Sequence, residues 1–296
     1  MARRKPPTTH GLAIVDKPAG VTSHDVVGML RRRFGERQVG HAGTLDPDAT
    51  GILLVGVGRC TRLLRFLTDL GKTYAGQVVF GTTTDSLDST GAVTGTFDMS
   101  HLSEAQVRAA VEAHLVGPIL QIPPMVSAVK VDGKRLHELA REGVEIEREP
   151  RPVTVYRFDL SATDDPLVYD IEVHCSKGTY IRTLADDLGR WCGGGAHLRG
   201  LRRTAVGGFT LSEAASPDDV TLLSLPEAVR DYAHVSVTAD VAALVRNGRV
   251  LPRFQDAGEG PWAVLDPNGE LLAMYESFGS DQAKPAVVIP GDASPT

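Results

Sequence analysis

Twelve residues restrict this chain more than any others: Gly40-His41-Ala42-Gly43-Thr44-Leu45-Asp46-Pro47-Asp48-Ala49-Thr50-Gly51. They lie between an apolar run that ends at Val39 and another that resumes at Ile52-Leu53-Leu54-Val55. With three glycines and few side chains to pack, the segment reads as a loop that places a few polar groups. Asp46 stands just before Pro47, which pushes the preceding backbone towards the extended region. A stiffened turn therefore presents its carboxylate. Taken alone, an Asp before Pro is most simply a turn-capping residue.

The pattern around the loop alternates strands with single helices. Leu12–Val15 reads as a strand, and Thr22-Ser23 offers the N-cap of a helix with Val26, Val27, Leu30 and Phe34 inward, ending at Gly35. A buried strand spans Ile52 to Val57, and a helix with Leu63, Leu64, Leu67 and Leu70 inward ends at Gly71. Lys72–Phe80 is expected as a strand, 82–90 as a polar loop, and Ser103 as the cap of a helix with Val107, Val111 and Leu115. Further strands are expected at 125–131, 153–160 and 168–175, and a helix from Thr179 to Trp191. Direct strand-to-strand links between single helices favour an α+β fold with a mixed or largely antiparallel sheet. Beyond it, Ser216-Pro217-Asp218-Asp219 reads as the cap of a short helix, and Leu225-Pro226 as an interruption. A helix at 239–246 and strands at 262–265, 271–274 and 286–289 suit a small β-rich appendage near the lower size limit for its own core. The expected division is a basic tail (1–10), a catalytic domain (11–212), a linker (213–235), a C-terminal domain (236–290) and a short tail (291–296).

The net charge of −6 argues against a nucleic-acid partner until its distribution is read. Residues 1–80 hold 12 Lys/Arg against 6 Asp/Glu, whereas residues 215–296 hold 5 against 12. Arginines cluster at 31–33 with Arg37, at Arg59, Arg62 and Arg65, and at Arg199, Arg202 and Arg203. Any one cluster is most simply a solvated face; three of them beside a candidate site suggest a track for phosphates. Cys60, Cys175 and Cys192 form no CxxC pair, which suggests a reducing cytoplasm and no structural zinc. No apolar run approaches the roughly 18–20 residues of a membrane span. Pro6-Pro7-Thr8-Thr9 follows the basic N-terminus where a secretory signal needs an apolar stretch. Gly56-Val57-Gly58-Arg59-Cys60-Thr61 lacks the third glycine of a dinucleotide loop, and no GxxxxGK[ST], HExxH or GxSxG occurs. No cofactor and no metal are expected.

The Asp46 loop resembles the catalytic loop of the tRNA pseudouridine synthase B (TruB) family. So do, in the same order, Val15-Asp16-Lys17-Pro18-Ala19-Gly20-Val21-Thr22-Ser23, Lys72-Thr73-Tyr74, His174 to Thr183 and Leu201-Arg202-Arg203. The resemblance spans residues 10–212 and implies a pseudouridine-synthase α+β domain followed by a PUA-like domain. It implies a base-flipping isomerase that converts uridine 55 in the TΨC loop of tRNA. By that resemblance Asp46 is the catalytic carboxylate, Arg182 its partner, and Tyr74 the aromatic ring against the uracil. His41, Tyr180 and Leu201 match positions that contact substrate. Arg59, Arg62, Arg202 and Arg203 are the candidates for the RNA backbone, and Lys17 is expected to be structural or near phosphate. The partner implied is the tRNA T-arm, bound by a monomer. Two other classes remain open: an RNA-binding or RNA-folding module without obligatory turnover, and an enzyme acting on a free nucleoside.

Overall fold

The computed structural model describes residues 7–125, 130–131, 134–135 and 146–291. The chain forms two compact units. One is built from residues up to Pro47, from Gly51–Asp69 and from Val206 onward; the other from Asp48–Thr50 and Leu70–Ala205.

In the first unit, the Gly11–Lys17 strand pairs antiparallel with Thr50–Val57 on one side and Leu222–Leu223 on the other. Val39–His41 also pairs with Thr50–Val57, His41 opposite Val55, so the Asp46 loop is the connection of a β-hairpin. The Ser23–Phe34 helix begins and ends where its sequence says. Thr22 closes a capping box with Asp25, and Gly35 takes the left-handed conformation after it. Its Val26, Val27 and Leu30 are buried with Val15, Leu53, Val55 and Val57. The C-terminal β-rich part orders its strands Ala233–Ser236, Trp262–Leu265, Leu271–Phe278, Gln282–Val288 and Leu251–Pro252. The first pair is parallel and the others are antiparallel. Trp262 and Tyr275 fill its core with Ala242 and Val245 of the Ala239–Arg246 helix. The polar ends of both aromatics are satisfied by carbonyls, Trp262 by Ala257 at 3.2 Å and Tyr275 by Arg249 at 2.7 Å.

The second unit is a sheet ordered Ala196–Val206, Lys72–Phe80, Val168–Cys175, Arg151–Ala162, Gly117–Gln121. The helices Glu104–His114 and Ile181–Trp191 supply Val107, Val111, Ile181, Leu184, Ala185 and Leu188 to its core. The α+β expectation holds, and the Lys72–Phe80 and Val168–Cys175 strands fall where the apolar pattern placed them.

Three expectations need correction, and one strand was not expected. The polar stretch 82–90 is not only loop: Thr82–Thr84 pairs with Val93–Thr96 as a small hairpin. Ser216 to Asp219 is a turn, with Ser216 Oγ donating to the Asp219 carboxylate at 2.7 Å. Pro226 does not interrupt; it opens the Leu225–Ala228 helix, where its missing N–H leaves no bond unmade. The eleven-residue strand Ala196–Val206 is absent from the expected elements, because Arg199, Arg202 and Arg203 mask its buried positions Ala196, Leu198 and Val206. Of the strand expected at 125–131, Lys130–Val131 forms and pairs with Lys134–Arg135, and residues 126–129 lie outside the described residues. Among the described residues, no helix is long and apolar enough to cross a membrane.

Candidate active site

Asp46 is half-buried in a loop whose backbone is fixed on both sides of it. On the N-terminal side, Ser23 and Leu45 clamp each other. The Leu45 N–H donates to Ser23 Oγ at 2.9 Å, and Ser23 Oγ donates to the Leu45 carbonyl at 3.1 Å. On the C-terminal side, the Pro47 carbonyl accepts from the Gly20 N–H at 3.0 Å and from Lys17 Nζ at 2.8 Å. Lys17 is fully buried, and its ammonium also donates to the carbonyls of Pro18 at 2.9 Å and Val21 at 2.7 Å. All three of its protons thus have backbone acceptors, which a buried ammonium requires. Lys17 is therefore structural. The loop bends through Gly43 (φ +92°) and Gly51 (φ +99°), a region that side chains rarely enter. Ala42, Leu45 and Ala49 are buried and anchor the loop around Asp46. His41 ends the strand before the loop.

The other expected residues belong to the second unit. Tyr74, on the Lys72–Phe80 strand, and Leu201, on Ala196–Val206, pack against one core that also takes in Ile181, Leu184 and Ala185. The structure thus gathers Tyr74, Leu201 and the helix start that follows Tyr180. That start carries Arg182, only 4 % exposed. Its Nη1 donates to the Ser86 carbonyl at 2.9 Å and lies 3.7 Å from the Asp88 carboxylate, an ion pair beyond hydrogen-bond length. Asp88 is held in turn. Its Oδ1 accepts from Ser86 Oγ, the Thr90 N–H and Thr90 Oγ1 at 2.7, 3.0 and 2.6 Å. Its neighbours are fixed to Leu198: the Leu87 carbonyl accepts the Leu198 N–H at 3.0 Å, and the Ser89 N–H donates to the Leu198 carbonyl at 2.9 Å. Leu87 sits at φ +63°, a strained position for a branched side chain.

Sequence reasoning missed Asp88 and the second role of Ser23. A signal existed for each. Asp88-Ser89-Thr90 has the composition of a side-chain-closed turn. Thr22-Ser23 offers two hydroxyls where a helix needs one cap, and the second serves the Asp46 loop.

The expected RNA-contacting arginines have partners of their own. Gly58–Leu63 is a 3₁₀ turn, in which residues three apart eclipse, so Arg59 and Arg62 share a face with Arg65 of the next helix. Arg59 donates to the Gly291 carbonyl at 3.1 Å, Arg62 to the Val288 carbonyl at 3.2 Å, and Arg65 pairs with Glu276. This basic face is laid against the Leu271–Phe278 and Gln282–Val288 strands and the residues just after them. Arg203 is 1 % exposed and belongs to the interior, whereas Arg202 is half-buried. Burial pushes the Cys60 thiol up to about 12 and the Cys175 thiol up to about 11, so neither is a thiolate at neutral pH.

Residues 31–181 match the TruB family pseudouridylate synthase N-terminal domain. Residues 182–246 match the tRNA pseudouridylate synthase B C-terminal domain, and residues 232–290 the tRNA pseudouridine synthase II C-terminal domain. The tRNA pseudouridine synthase B of Mycobacterium bovis (strain BCG / Pasteur 1173P2) is 43% identical over 97% of this chain and 99% of its own length. That of Mycobacteroides abscessus is 45% identical over 95% of this chain and 97% of its own. Among solved structures, a chain of a Cbf5–Nop10–Gar1 complex shares the fold, with a TM-score of 0.70 at 23% identity over 94% of this chain and 83% of that one.

Proposed function

Because the chain belongs to the TruB family and has the function of a tRNA pseudouridine synthase, we propose that it isomerises uridine 55 in the T-arm of tRNA, with Asp46 as the catalytic carboxylate. The observation that carries this is the clamped backbone on both sides of Asp46, which fixes the position of its carboxylate. In this reading residues 11–212 carry catalysis, residues 236–290 form an accessory β-rich domain, and the protein works in the cytoplasm as a monomer.

The reaction breaks the N1–C1′ bond of uridine, turns the base and joins C5 to C1′; the proton on C5 leaves and N1 gains one. Nothing is oxidised or reduced. An ionised carboxylate acts on the ribose by either of two routes. It attacks C1′, forming an O–C1′ bond as the N1 bond breaks and the electron pair moves onto the uracil. Or it takes the C2′ proton, leaving a glycal as the base departs. Both begin from the charged form, and in this reading Arg182 is the partner of that form. Tyr74 stacks on the base with its hydroxyl towards C5. His41, Tyr180 and Leu201 line the site of the extruded nucleotide. Extrusion costs a few kcal/mol, least in an RNA loop whose bases are already loosely stacked. Arg59, Arg62 and Arg202 contact the flanking phosphates, which makes affinity fall with salt.

Incubation of an unmodified tRNA transcript with the protein, followed by mapping of pseudouridines, tests the proposal. One modified position in the T-arm, abolished in Asp46→Asn without loss of tRNA binding, is the expected result. Undiminished conversion by Asp46→Asn, or conversion of free uridine, overturns it.

A further inference from the structure

Gln121 ends the Gly117–Gln121 strand and is 2 % exposed. Its carboxamide makes two bonds to one residue. Oε1 accepts the Tyr180 N–H at 2.7 Å, and Nε2 donates to the Tyr180 carbonyl at 3.0 Å. This is the exchange that two strands make, made here by a side chain. Tyr180 is the N-cap residue of the Ile181–Trp191 helix, and its own side chain makes no capping bond. The first turn of that helix has no acidic residue either. Gln121 thus fixes the point from which the helix departs. Arg182 follows two residues later, its guanidinium held by the Ser86 carbonyl.

We propose that Gln121 is a positioning residue for the isomerisation, aiming Tyr180 and Arg182 through the Tyr180 peptide groups. The proposal rests on the functional reading above. A carboxamide is the side chain that offers a donor and an acceptor side by side. An aliphatic replacement fills the space but leaves a peptide N–H and C=O inside the protein with fewer partners. The helix start then shifts or loosens, and a misplacement on the order of 1 Å is enough for a loss of about 10²-fold in rate. The strand Arg151–Ala162 pairs Arg151 with Gln121, and Arg148 donates to the Pro123 carbonyl at 3.0 Å, so the anchor is itself braced on the next residues.

Two variants test this, each in the full chain with an unmodified tRNA transcript. Gln121→Met is expected to lower the single-turnover rate about 10- to 100-fold while tRNA affinity stays within about twofold. Gln121→Glu keeps an acceptor and regains a donor only when protonated. Its rate relative to the unaltered protein should therefore rise as pH is lowered from about 8 to 6, because burial raises a carboxyl pKa. A Gln121→Met rate within about threefold of normal overturns the proposal, as do equal losses of rate and affinity. If Gln121→Met does not fold, a flat Gln121→Glu ratio across pH overturns it. Asp46→Asn separates the two readings. If it is inactive while Gln121→Met is normal, only the positioning role falls; if it is active, the functional reading falls.

Discussion

The loop that carries Asp46 is held by partners 22 and 30 residues away in the chain, and the helix start that carries Arg182 by partners 59 and 96 residues away. Both use the same device. A residue one or two positions before the functional one exchanges a pair of bonds with a single side chain, Leu45 with that of Ser23 and Tyr180 with that of Gln121. They differ in what stiffens the rest. The loop depends on a buried ammonium, Lys17, that gathers three carbonyls; the helix start depends on a second loop around Asp88 that is itself tied to Leu198. A site made from nearby chain should fail by unfolding locally. One assembled from distant chain should fail by losing its aim while the fold persists.

The largest expected effect is at Lys17. Lys17→Met leaves the carbonyls of Pro18, Val21 and Pro47 short of a donor inside the protein. A loss of about 2–4 kcal/mol in stability is expected, read as a lower melting temperature with activity lost in parallel. An unchanged melting temperature breaks the comparison, because the loop would then not need its ammonium.

Asp88→Asn should act in the opposite sense. The amide oxygen still accepts from Ser86 and Thr90, while the charge facing Arg182 is gone. Melting should stay within a degree or two, and the single-turnover rate should fall by about tenfold, equivalent to roughly 1.4 kcal/mol. A loss of stability as large as that of Lys17→Met would place Asp88 with the structural groups.

The smallest effect is at Asp187, farther along the Arg182 helix. Burial, reinforced by the charge of Asp186, pushes its carboxyl up to about 6. Since its value in the folded chain lies above the unfolded one, its ionised form weakens the fold above pH 6, and the penalty fades as pH falls towards 4. Asp187→Asn should therefore raise stability by about 1 kcal/mol near pH 7.5, a figure discounted for partial exposure, and by little near pH 4. Thermal melts at the two pH values check this; an equal gain at both refutes the assigned cause. Unchanged turnover in the variant would show that stabilising the helix does not disturb its aim.

Much of the site was legible in the chain. The Asp46 loop, the Thr22 cap and the Gly35 stop follow from local rules: a hairpin connection, a hydroxyl before a helix, a residue without a side chain after it. Strands with unbroken apolar runs, such as 52–57, declared themselves. The strand Ala196–Val206 did not, because its arginines break the alternation that marks a strand. The arginine series 59, 62 and 65 announced its shared face, but the identity of what that face meets was not in the spacing. Charge attracts a phosphate and a carboxylate alike, and here part of it meets Glu276 and the carbonyls of Val288 and Gly291.

The sequence by itself determined which residue types stand where the backbone must turn, stop or stiffen, since those constraints act within a few bonds. Tertiary structure alone decided who holds Arg182, why Ser23 is buried, and that Gln121 is spent on Tyr180. Each of those bonds joins groups brought together by strand order, and strand order is set by burying apolar faces over the whole sheet. A hydrogen-bonding side chain carries no mark of its distant partner; only the folded chain supplies one.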